Sequence, residues 1–184
     1  MPTWLWVVIV IAAIIVVAAV ASAALRTRRR RALQERFGPE YDRVAADAPS
    51  RREAEAELRE RERRRDELDI RPLDPRDHDR YRSRWQNVQA RFVDDPPGAV
   101  EDADALIQEV MRVRGYPVDD FETRAADLSV DHPDVVENYR AAHGIAVAHE
   151  RGNAGTEELR HAVRHYRALF DELVGTAETE EVRP

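Results

Sequence analysis

The chain has 184 residues, with 29 basic and 36 acidic side chains, a net charge of −7, and neither cysteine nor lysine. The missing thiol excludes disulfides, thiolate metal sites and cysteine nucleophiles, and the missing amine excludes Schiff-base chemistry and a phosphate-loop lysine. Charge is divided along the chain: residues 26–71 hold 15 arginines and 12 acids, whereas residues 72–184 hold 14 arginines and 24 acids. An acidic distal body argues against nucleic acid as a partner, because phosphate binding needs clustered positive charge.

The chain opens on an apolar stretch, Trp4 to Leu25, without charge, proline or glycine. Twenty-two residues in a helix extend about 33 Å, the thickness of a bilayer's hydrocarbon core. Trp4 and Trp6 suit one headgroup region, and Arg26, Arg28, Arg29, Arg30 and Arg31 follow at the other end. The excess of arginine on one side predicts a single-pass anchor in the cell membrane, N-terminus outside and body cytoplasmic. A cleaved signal peptide is the competing reading, since Ala21-Ser22-Ala23 has the small-x-small pattern; a basic n-region is missing and the apolar run is too long for it. Ala18 and Ser22, like Ala19 and Ala23, are spaced to seat a second helix.

Residues 26–73 read as a basic juxtamembrane segment and a charged linker helix. The first helix is expected to continue to about Phe37 and to break at Gly38-Pro39. A short helix is expected from Glu40 to Ala48. Ser50-x-x-Glu53 is a capping-box pattern opening a helix over 51–69. Glu55–Arg59, Glu57–Arg61 and Glu60–Arg64 are spaced as stabilising pairs. Only Leu58 and Leu68 are large and apolar there, so this helix is expected to be a solvated spacer with no face to bury.

From residue 74 the periodicity becomes that of amphipathic helices. Asp74-Pro75 is a start signal, and Tyr81, Trp85, Val88 and Phe92 make one stripe. Residues 94–98 read as a turn. Val100, Ala103, Leu106, Ile107, Val110 and Met111 form the next stripe, which stops at Gly115. Asp119-x-x-Glu122 is expected to cap a short helix with Phe121, Ala125 and Leu128 inward. Asp131-His132-Pro133-Asp134 is expected to open another, with Asp131 as the cap and Val135, Val136, Tyr139, Ala142 and Ala146 buried. Thr156 is expected to cap the last helix, whose stripe runs from Leu159 to Val174, with Gly175 closing it. The predicted fold is all-α: an N-terminal transmembrane helix (1–25), the charged linker (26–73), a compact bundle of about five helices (74–175) and a disordered tail (176–184).

Four segments occur in one order: Arg36-Phe37-Gly38-Pro39-Glu40-Tyr41-Asp42-Arg43, Trp85-x-x-Val88-Gln89-x-x-Phe92-Val93-Asp94, Arg114-Gly115-Tyr116-Pro117-Val118, and Arg124-Ala125-Ala126-Asp127-Leu128-Ser129-Val130-Asp131-His132-Pro133. In these the chain resembles a functionally uncharacterised family of bacterial single-pass membrane-anchored proteins. The resemblance implies a membrane setting and no activity, and no catalytic residue transfers with it.

Candidate chemistry is sparse. His161 and His165 have metal-ligand spacing, but the segment lacks the glutamate of HExxH and a third ligand. Asp131 beside His132 is accounted for as helix-start chemistry. No catalytic, metal or cofactor residue is predicted. His143 lies on the face of Tyr139 and Ala146, as a core or boundary histidine satisfied by one hydrogen bond, with a proton-sensing or ligand role as the alternative. Arg114, on the apolar face at the end of its helix, is expected to pair with Asp119, Asp120 or Asp127, or to meet the negative end of that same helix. Phe37 to Tyr41 is either a packed helix break or a recognition element. The expected function is a membrane-tethered helical adaptor that contacts lipid and another protein. The runner-ups are a small-ligand receptor or enzyme with a pocket near Tyr139, His143 and Arg114, and an exported domain released after Ala23.

Overall fold

A computed structural model describes residues 3–175, less the side chains of residues 3, 5–10 and 13. The described residues form eight helices and no strand: α1 (Thr3–Phe37), α2 (Pro39–Asp47), α3 (Arg51–Asp66), α4 (Pro75–Arg91), α5 (Pro96–Arg114), α6 (Phe121–Asp131), α7 (Val136–Glu150) and α8 (Thr156–Val174). The protein is all-α, as its periodicity predicts. It divides into two units, residues 1–58 and 59–184, with the boundary inside α3.

In the first unit α1 runs unbroken through the arginines and ends where expected. Gly38, at φ 47°, turns the chain, and Pro39 occupies the first turn of α2, where its missing N–H is no loss. Leu33, Phe37, Tyr41 and Val44 continue one buried stripe across the break. Ser50 caps α3, its Oγ accepting from the Glu53 N–H at 3.3 Å. Among the described residues no helix is long and apolar enough to cross a membrane. Much of the first half of the predicted span, Trp6 included, lies outside the described side chains, as does the tail 176–184, for which the sequence predicts disorder.

In the second unit α8 packs against α5 and α7, α4 against α5, and α6 against α7. The stripes read from the sequence meet in one core: Tyr81, Trp85, Leu106, Ile107, Leu128, Tyr139, Tyr166 and Leu169 are each at most 2% exposed. Trp85 and Phe170 stack with centroids 4.7 Å apart, a pairing worth about 0.5–1.5 kcal/mol beyond area burial. At the end of α5 the Tyr116 N–H returns to the Met111 carbonyl at 2.9 Å, and Gly115 adopts φ 98°. The backbone of Asp69 crosses so closely that a β-carbon on Gly115 would lie 2.2 Å from its carbonyl oxygen.

Several helix ends differ from expectation. Asp95, rather than a longer turn, caps α5, accepting from the Gly98 N–H at 3.1 Å. The α6 cap is Asp120, one residue past Asp119, because its carboxylate reaches both the N–H and the hydroxyl of Thr123. At α8 the cap position is Gly155, not Thr156, and Glu158 folds back onto its N–H at 2.9 Å. Asp131-His132-Pro133-Asp134 does not open α7. Asp131 ends α6, a turn of hydrogen bonds from Val135 and Val136 to the His132 carbonyl follows, and α7 starts at Val136. Asp131 is drawn into α6 because its carboxylate is held by tertiary partners instead of a helix start.

The spacer reading of the charged helix is also corrected. Ala54, Leu58 and Arg61 are buried at 0%, 0% and 7% exposure, spaced as one face of α3. Arginine counts as a solvent residue in a periodicity pattern, yet it can lie inward where a carboxylate or hydroxyl meets it.

Candidate functional site

The inward arginines of α3 meet α6 in a ladder. Arg61 donates to Ser129 Oγ at 3.2 Å, Arg64 to Asp127 Oδ1 at 2.8 Å, and Arg65 to both Asp131 oxygens at 2.7–2.8 Å. Asp127 is fully buried, and burial holds its carboxyl above the ordinary aspartate range although Arg64 and Arg61 pull it down. Asp131 also accepts from the Tyr116 hydroxyl at 2.8 Å. Burial, then the Asp131 charge, pushes the Tyr116 phenol far above its usual value. Next to it His132 Nδ1 lies 3.1 Å from Glu172 Oε1, while Nε2 is buried without a partner among the described residues. Burial lowers the His132 pKa and outweighs the pull of Glu172 in the other direction.

A second polar group sits between α5, α6, α7 and α8. Arg124 Nε donates to the Tyr139 hydroxyl at 2.9 Å and its Nη1 to the Asp119 carbonyl at 2.6 Å. Asp104, held by the Gln108 amide at 2.5 Å, lies beside the phenols of Tyr139 and Tyr166. Burial and then this carboxylate raise both phenols far above their ordinary range.

A third arrangement is a surface along α4 and α8. Stripe residues Trp85 and Phe92 reach the edge of the core there, and arginines lie over them. The Arg167 guanidinium is 5.9 Å from the Trp85 ring centroid and Arg160 is 5.3 Å from that of Phe92. Two adjoining recesses of about 330 and 230 Å³ open between the helices. Gln89 lines both. At about 5.9 and 5.3 Å the guanidinium–ring contacts fall within cation–π range.

The residues singled out in the sequence are placed apart. Trp4 is exposed, Arg26, Arg28, Arg29 and Arg31 are exposed and Arg30 half-buried; the Trp6 side chain lies outside the described residues. Phe37 and Tyr41 are buried, and the Tyr41 hydroxyl donates to Glu55 at 3.2 Å. Arg114 meets none of the three aspartates expected for it. It donates to the Leu173 carbonyl at 2.9 Å, at the negative end of α8, and to the Arg71 carbonyl at 3.3 Å. His143, half-buried, stacks on Phe121 at 3.7 Å, and Phe121 in turn meets Tyr139. Arg114 is ten residues along α5 from Asp104, about 15 Å, so it stands away from the Tyr139 group. His165 Nδ1 meets Asn138 at 2.8 Å and His161 is exposed; among the described residues no group of three or more His, Asp or Glu is placed to hold a metal.

Sequence reasoning missed the inward arginines Arg61, Arg64 and Arg65, the carboxylates that receive them, and the arginine-covered aromatic edge of α4 and α8. The only signal available was an apolar-to-arginine continuation of one helix face, Ala54, Leu58, Arg61, Arg65, at steps of four, three and four. Comparison with known protein families, characterised proteins and solved structures finds no match for this chain.

Proposed function

We propose that the chain is a single-pass, membrane-tethered helical adaptor whose body faces the cytoplasm and contacts another protein. The observation that carries the reading is the outer surface of α1. Ile14, Ile15, Val17 and Val20 are each more than 60% exposed on an unbroken helix that runs directly into the arginine cluster. A contiguous apolar surface of that size requires a cover, and a lipid phase supplies one along the 22-residue stretch. The arginines fix the side on which the body stays, at about 1 kcal/mol each near an anionic surface.

An interaction role fits the distal unit better than catalysis. Its inward-facing arginines are engaged within the fold: Arg64 with the Asp127 carboxylate, Arg65 with that of Asp131, Arg124 with the Tyr139 hydroxyl. The groups nominated for a ligand pocket, Arg114, Tyr139 and His143, are engaged with carbonyls, Arg124 and Phe121 respectively. Arginine and aromatic residues at the α4 and α8 surface are the types that dominate protein–protein contacts. The test is topological. With a tag at the C-terminus, protease added outside intact cells leaves the tag uncut, and the chain stays with the membrane after alkaline carbonate washing. Digestion of the tag, or recovery of the product in the medium, overturns the reading.

A further inference from the structure

The α4 and α8 surface inverts the charge of the body that carries it. Those two helices hold eight arginines and six acids, while the rest of residues 72–184 holds six arginines and eighteen acids. Along the recesses between them the cations are only partly neutralised. Arg160 meets Glu157 at 3.0 Å and Arg167 meets Asp171 at 2.6 Å. Arg82 donates to the Gly175 carbonyl at 3.1 Å, and Arg164 has no carboxylate partner among the described residues. The Trp85 side chain, which lines one of these recesses, adds a donor: its indole Nε1 is buried with no acceptor among the described residues, in a residue 2% exposed. Buried polar groups are rarely left so. Cations, an unmatched indole N–H and an aromatic floor together ask for an anionic acceptor with an apolar neighbour.

We infer that the α4 and α8 groove is a docking site for an acidic segment of a partner protein, with carboxylates at Arg164 and Arg167 and an apolar side chain over Trp85 and Phe92. The inference rests on the adaptor reading and names its surface. The recesses decide the class of partner. They are concave slots about 15 Å long from Arg82 to Phe92, the span of four or five extended residues. Single side chains enter such slots, whereas a plane of lipid headgroups would also meet Glu157, which lies outside both recesses; Asp171 lines the slot and faces Arg167. Arg167 closes over the indole from above, so a carboxylate that draws it outward also opens the way to the indole N–H.

The probe is a short fluorescein-labelled peptide of alternating Glu and Leu, added to the full chain in neutral-detergent micelles. The expected result is salt-sensitive binding that shifts the Trp85 indole ¹⁵N–¹H signal, identified by its loss in W85F. Affinity falls about tenfold or more in R164E, a change at an exposed arginine with no carboxylate partner among the described residues, which leaves the helical circular dichroism unaltered. Equal binding of the Lys-for-Glu peptide, indifference to R164E, or an indole signal that stays still overturns the inference. So does binding confined to phosphatidylglycerol vesicles, which would make the surface a lipid contact. Binding that appears only after residues 176–184 are removed also overturns it, because the groove's occupant is then the chain's own tail. The topology experiment fails or succeeds independently of all these outcomes, so loss of the groove and loss of the adaptor reading are separable.

Discussion

At the scale of single residues, what distinguishes the molecule is how it handles buried polar groups. Asp127 has no exposure and relies on Arg64, whose side chain is 40% exposed. Truncating the two partners is therefore not symmetrical. R64A strands a buried carboxylate and is expected to cost about 3 kcal/mol, with part of the loss recovered as the acid protonates. D127A leaves an arginine that water can reach and is expected to cost less, about 1–2 kcal/mol. Urea titrations of the two variants measure the order; equal costs would show that the pair is not desolvated as described. His132 supplies a pH signature. Its folded pKa lies below the unfolded value near 6.5, so the unfolded state binds more protons in that window. The stability it supports is present above about pH 6.5 and is lost as pH falls through that value. Melting curves between pH 7.5 and 5 are expected to show a decline that is flatter in H132Q, which keeps a polar side chain and removes the titration.

At the scale of elements, the ends of helices carry more information than their middles. The close crossing at Gly115 locks the end of α5 to the segment that leads from α3 to α4, and the Arg71 N–H bonds the Arg114 carbonyl there at 2.8 Å. G115A meets both a left-handed backbone and the Asp69 carbonyl, and is expected to destabilise by more than about 2 kcal/mol. Gly152 is the control: its φ is 76° and nothing lies within 4 Å of where a β-carbon would stand, so G152A bears only the backbone cost of about 1 kcal/mol. Comparable denaturant midpoints for the two variants would remove the crossing as a structural constraint. Helix α3 makes the same point from its side chains, since its second half docks through guanidinium groups and hardly any apolar area.

At the scale of the whole molecule, the core of the second unit is aliphatic and aromatic, with phenols directed inward beside acids. Burial raises Tyr116, Tyr139 and Tyr166 strongly. For an acid whose folded pKa is raised, stability is full below the unfolded pKa and declines as pH climbs above it, here from about pH 10. Absorbance at 295 nm is expected to show most of the five tyrosines ionising in one cooperative step with loss of helix. Independent titration of three or more phenols in a still-helical protein would contradict their placement.

The amino-acid sequence by itself determined the all-α class, the break at Gly38-Pro39, the stripes that became the core and the glycine end of α5. These are consequences of local periodicity and backbone freedom, which neighbours along the chain are sufficient to set. Tertiary structure alone decided that Arg61, Arg64 and Arg65 turn inward, that Asp131 ends one helix instead of starting the next, that Arg114 serves the end of α8, and that arginines gather over the Trp85 edge. A charged side chain has no periodic signature for burial. Its direction depends on whether another helix, distant in the chain, brings a carboxylate or a carbonyl within about 3 Å.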